Sequence, residues 1–159
     1  GYASQVSGRL RFLLPFALLL PALGGCANGD VKEANAYVNA VNRAQTGFAA
    51  ASEKLLTQIS PDQPASRDKV LLDRFYAAVD GFVAKLQAIK PPTRVRALHD
   101  RLVAAMVRFG TSLRSAGAAI TSKDAARILD GQQQLADATR GVTRAINTTI
   151  GAINTALKG

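Results

Sequence analysis

Cysteine occurs once in this sequence, at Cys26, so no disulfide can form within the chain and stability has to come from packing. Tryptophan is absent, methionine and histidine occur once each, and aromatic residues make up 6% of the chain, which leaves aliphatic side chains to build the core. A single histidine and a single cysteine also exclude the common converging ligand sets for a transition metal, and no metal or other cofactor is expected. Several catalytic signatures are missing: a Gly-rich phosphate loop, GxSxG, CxxC, and paired acidic residues on an inward helical stripe. The residue pattern therefore points to a non-catalytic protein. What is present is 48% hydrophobic residues against 19% charged ones, enough for a packed core in a chain of one-domain length. The balance of charge is basic, +9 overall.

The apolar residues are arranged in two ways. At the start, Arg9 and Arg11 precede an unbroken run from Phe12 to Leu23, followed by Gly24, Gly25 and Cys26. A positive region, a short apolar stretch and small residues at its end form the layout of a secretory signal. A membrane span is excluded by length. Twelve helical residues cover about 18 Å, against about 30 Å of bilayer hydrocarbon, and Pro15 and Pro21 weaken the helix further.

The end of that segment, Leu23-Gly24-Gly25-Cys26, resembles the lipobox of bacterial lipoproteins. The resemblance covers Arg9 to Cys26 and implies that the thiol of Cys26 receives a diacylglycerol and that a dedicated signal peptidase cuts between Gly25 and Cys26. The protein would then be held at the cell membrane on its extracytoplasmic face, with the covalent lipid on Cys26 as its contact with the bilayer. Residues 1–25 would be the cleaved signal peptide, residues 26–29 the lipidated cysteine and a short tether, and residues 30–159 the domain. Because residue 1 is Gly rather than Met, further residues are expected upstream. Burial of acyl chains contributes about 0.8 kcal/mol per methylene, and two chains anchor stably where one is marginal. The mature chain would keep 18 basic and 11 acidic residues, a charge of +7 with histidine neutral.

From Asp30 onward, apolar residues recur every three or four positions, the signature of amphipathic helices. The spacing predicts helices over about 30–59, 67–90, 93–120 and 123–157. "SPDQPAS" from Ser60 and Pro91-Pro92 separate the first three, because proline interrupts helices and restricts the residue before it. The Thr121-Ser122 break separates the last two, with Ser122 as the expected N-cap. Four stripes facing inward, joined by short connections, predict an all-α, antiparallel up-down-up-down four-helix bundle.

Three polar features stand out within this pattern. Arg94, Arg101 and Arg108 are seven apart and share one outer face of the third helix, a stripe suited to anionic headgroups or an anionic envelope polymer, although a solvated face is the simpler and favoured reading. Nucleic acid is not expected as a partner, because no aromatic residues interleave the arginines and an exported protein would rarely meet it. His99 stands alone beside Asp100 and is expected to be structural or at the surface. Asn35, Asn39 and Asn42 make a polar ridge on the first helix, expected to face water. Gly131, Gly141 and Gly151 recur every ten residues, which is not a helical stripe. The stretch from Ile89 to Val103, "IKPPTRVRALHDRLV", also resembles a turn found in small helical bacterial lipoproteins of unknown function; this transfers no activity.

The expected role is binding or scaffolding in the cell envelope. Two other readings stay open from the residues: a carrier that holds a small apolar ligand inside the bundle, and an envelope hydrolase using His99. No protein partner can be named from sequence.

Overall fold

The computed structural model describes residues 18–20, 28–58 and 65–158. Four α-helices account for nearly all of these residues: α1 (Asn28–Leu56), α2 (Ala65–Ala88), α3 (Arg96–Ile120) and α4 (Ala125–Lys158), with a single 3₁₀ turn at Thr93–Val95 leading into α3. No strand occurs among the described residues. The fold is an all-α four-helix bundle. The loop expected from Ser60 lies mostly outside the described residues.

The helix ends follow local rules. α2 stops at Ala88, ahead of Pro91-Pro92, and Pro92 holds an extended conformation (φ −53°, ψ 146°) from which the 3₁₀ turn starts. α3 ends where Thr121 turns back. Its N–H and its hydroxyl both donate to the Gly117 carbonyl, at 3.0 and 2.9 Å. Ser122 is not the N-cap of α4. Asp124 is, because its Oδ1 accepts from the Ala126 N–H at 2.9 Å, while Ser122 accepts from the Asp124 N–H at 3.2 Å and shapes the turn before it. At the other end of the chain, α1 begins at Asn28, so Asn28 and Gly29 belong to the helix rather than to a tether.

The stripes read from sequence face inward. Val38 and Val41 of α1, Val79 and Leu86 of α2, Leu102 and Leu113 of α3, and Ile146 and Ile153 of α4 are each at most 1% exposed, in one continuous core. Met106 and Ile150 join them at the same depth. Aromatic rings link the first three helices. Phe48 stacks on Phe82 with centroids 4.9 Å apart, and Phe75 lies 6.4 Å from Phe48 and 6.5 Å edge-on from Phe109.

Cross-helix pairs give the directions. Phe48 meets Phe82 and Gln58 meets Arg74, so α1 and α2 run antiparallel. Asp80 pairs with Arg114 while the Leu86 carbonyl meets His99, so α2 and α3 do as well. α4 folds back on α3 across the four-residue turn, and its far part reaches the 3₁₀ turn that precedes α3.

The tightest backbone approach is between α3 and α4. A Cβ built on Gly131 would lie 2.8 Å from the Ala116 carbonyl oxygen and 2.9 Å from the Ile120 nitrogen, so only hydrogen fits there. Gly141 and Gly151 have nothing within 4 Å of such a Cβ. The ten-residue glycine spacing therefore reflects no shared role; only the first of the three is a packing glycine. α1 and α4, by contrast, are not among the closely packed pairs of the described residues.

Candidate functional site

His99 is buried, at 3% exposure, and its ring is fully engaged. The Leu86 carbonyl can only accept, so His99 Nε2 donates to it at 3.0 Å, which leaves Nδ1 as the acceptor for the Tyr37 hydroxyl at 3.2 Å. Tyr37 also sets its ring edge-on to the imidazole, with centroids 5.7 Å apart. Burial lowers the pKa of His99 below its ordinary value of 6.5, opposed by the Leu86 carbonyl and by Asp100, and burial pushes Tyr37 well above the usual phenol range. Both groups stay neutral. With both nitrogens occupied, His99 pins α1, α3 and the end of α2 together and offers no lone pair to a substrate.

The basic residues stand at the surface. Arg94, Arg101 and Arg108 are all exposed and make no ion pair among the described residues. Arg94 lies at the end of the bundle where α1 starts. There, with Asp30, Glu33, Pro92 and Thr93, it lines a small open cleft of about 220 Å³. The exposed charges at that end are Lys32, Lys90, Arg94, Arg96 and Lys158 against Asp30, Glu33 and Asp100, so the end is net positive; among the described residues the opposite end is too, with Lys54, Arg67, Lys69, Lys123 and Arg127 exposed against Glu53 and Asp124. Arg101 and Arg108 climb away from it along α3, by about 10 and 20 Å at the helical rise. The stripe is continuous in sequence, but only its first member belongs to the charged end.

Gly25 and Cys26, the expected cleavage and lipidation positions, lie outside the described residues. No helix among those described is long and apolar enough to cross a membrane, and no three of their His, Cys, Asp or Glu residues gather as a metal site would require.

A different site lies in the seam between α1 and α4, and it was not legible as a site in the sequence. Three residues of the N-terminal apolar run, Leu18 to Leu20, occupy it. Asn42 of α1 accepts from the Leu19 N–H through Oδ1 and donates to the Leu19 carbonyl through Nδ2, both at 3.0 Å. Asn154 of α4 accepts from the Leu20 N–H at 2.8 Å and donates to the Leu18 carbonyl at 3.4 Å. Two carboxamides thus satisfy four successive backbone groups, as a neighbouring β-strand would. The Leu19 side chain is 2% exposed within the core, while Leu18 and Leu20 point outward at 59% and 52% exposure. The expectation that the asparagine ridge faces water holds for Asn39, which is exposed. It fails for Asn42, which is half-buried and bonded to Leu19. The available sequence signal was weak: Asn42 and Asn154 each directly follow a stripe residue, Val41 and Ile153.

Neither the known family models, nor the curated proteins, nor the solved structures give a match to this chain.

Proposed function

We propose that the chain is an exported lipoprotein, anchored through acyl chains on Cys26 at the extracytoplasmic face of the cell membrane, whose helical bundle binds or scaffolds a component of the envelope without catalysing a reaction. The observation that carries this reading is Leu23-Gly24-Gly25-Cys26 at the end of an apolar run too short to span a bilayer.

Two further features support it. α1 begins at Asn28, two residues after Cys26, so an anchored bundle stands directly on the headgroups with no slack between lipid and helix. The end of the bundle that carries the start of α1 is net positive, with Lys32, Lys90, Arg94, Arg96 and Lys158 exposed. Each exposed cation close to an anionic surface is worth about 1 kcal/mol, an effect that fades within a Debye length of about 8 Å at physiological salt. In an upright bundle, Arg94 lies within that distance, and Arg101 and Arg108, about 10 and 20 Å further along α3, are free to meet an anionic polymer instead.

The test is processing. Cys26→Ala, or an inhibitor of the lipoprotein signal peptidase, is expected to yield a form that keeps its leader and gains no lipid. Retention of a normally sized, lipid-modified protein after Cys26→Ala contradicts the reading.

A further inference from the structure

The α1–α4 seam recognises a backbone, and this has a consequence once residues 1–25 are removed. On the reading above, Leu18 to Leu20 leave with the leader, and the mature domain keeps Asn42, Asn154 and the apolar socket that held Leu19. We propose that this seam is a binding groove for an extended peptide segment of another protein, with one leucine-sized side chain buried and its two neighbours turned outward.

Three observations specify that occupant. The first is the pairing itself: Asn42 binds both the N–H and the carbonyl of one residue, at 3.0 Å each, and Asn154 binds the N–H of the next residue and the carbonyl of the one before. Such a set fits a peptide main chain. A fatty acyl chain has no amide to offer, and its occupancy would leave the half-buried Asn42 carboxamide without its main-chain partners, which is costly. The second is the alternation of the side chains. Leu19 is buried and Leu18 and Leu20 are exposed, the period of two that an extended strand imposes and a helix does not. Main-chain hydrogen bonds with a pocket for alternate side chains are the general means by which extended peptides are read. The third is the packing of the bundle. α1 and α4 are not a closely packed pair among the described residues, whereas α3 and α4 are pressed together at Gly131, so the bundle is closed on one side of α4 and holds the extended segment Leu18 to Leu20 on the other.

Selectivity follows from these contacts. The backbone bonds are indifferent to sequence. The socket demands a branched aliphatic side chain of about the size of leucine, since larger residues overpack a filled core and a charged one is buried without a partner. The outward positions accept any residue.

The proposal rests on removal of the leader, so the experiment first establishes the N-terminus of the native protein by mass spectrometry. The processed, lipidated protein in detergent is then titrated with a labelled peptide carrying residues 16–22 of this chain and a solubilising tail, used as the probe. Saturable binding is expected. It should weaken by at least about tenfold for the Asn42→Asp/Asn154→Ala protein, which loses both carboxamide donors and the Asn154 Oδ1 acceptor. A similar loss is expected for a peptide N-methylated at Leu19 and for one with Leu19→Asp. Circular dichroism and a thermal melt show whether the doubly substituted protein is folded, and the N-methyl peptide makes the same test on unmodified protein. Equal binding by the parent and N-methyl peptides overturns the proposal, as does equal binding by parent and variant proteins. Binding that occurs only after the acyl chains are stripped assigns the seam to the protein's own lipid and overturns it too. A leader still attached to the native protein defeats the membrane-anchor reading and the vacated groove together. Failure of a correctly processed protein to bind defeats the groove alone.

Discussion

The two seams that flank α4 are built on opposite principles. Against α3, small residues let backbones meet: Gly131 sits where a Cβ would lie 2.8 Å from the Ala116 carbonyl oxygen. Against α1, the two helices are not closely packed among the described residues, and the segment Leu18 to Leu20 is held by two asparagines. The closed seam contributes to stability through close backbone contact at Gly131. The open seam carries polar groups at its lip that make sense only when another main chain lies between them. In a bundle with few aromatics and one histidine, the difference separates the part that holds the fold from the part available for recognition.

Deep core truncation has the largest expected effect. Ile150→Ala removes a fully buried side chain and should cost about 2–5 kcal/mol in urea denaturation, because the bundle has no disulfide to limit the loss. A cost under about 1 kcal/mol would mean that α4 is loosely seated along its whole length, closed seam included. Next is Gly131→Ala, expected to destabilise by about 1–3 kcal/mol, since the added methyl meets fixed backbone. The matched control is Gly151→Ala, where the space is open and the gain in helix propensity should stabilise by up to about 1 kcal/mol. Opposite signs for two glycine substitutions on one helix would sharpen the contrast, and equal signs would break it.

A third prediction concerns pH. The folded pKa of His99 lies below the ordinary 6.5, so the unfolded chain binds the proton first and the contribution of His99 is complete above pH 6.5. As pH falls below 6.5 toward the folded value, that contribution should disappear, with a slope of at most about 1.4 kcal/mol per pH unit. Melting temperatures measured from pH 7.5 down to 5 should show the decline in the parent and a flatter profile in His99→Gln. Parallel profiles would mean that the imidazole is not held neutral between Tyr37 and Leu86. The smallest effect is expected at the open seam. In the processed protein, Asn42→Ala should change stability by less than about 0.5 kcal/mol, because its partner has left with the leader. A loss near 2 kcal/mol would show that the seam closes on itself.

Much of this architecture was legible in the chain. The inward stripes of all four helices follow from spacing, and the Pro91-Pro92 break follows from what proline does to its neighbours. What the sequence left open was the partner of each polar residue. Asn42 finds Leu19 across 23 residues and Asn154 finds Leu20 across 134, and no local pattern encodes such pairings. His99 was identifiable as structural or at the surface, but only the fold shows that the Tyr37 hydroxyl and the Leu86 carbonyl occupy its two nitrogens. Asp124 replaced Ser122 as the cap of α4 because the turn took one more pair of residues than the apolar spacing indicated.

The membrane anchor is the premise beneath both the proposed function and the vacated groove. Intact-mass and N-terminal peptide spectrometry of the protein extracted from membranes tests it most directly. The expected species starts at Cys26 and carries a thioether-linked diacylglycerol; a free thiol at Cys26, or residues 1–25 still in place, would contradict it.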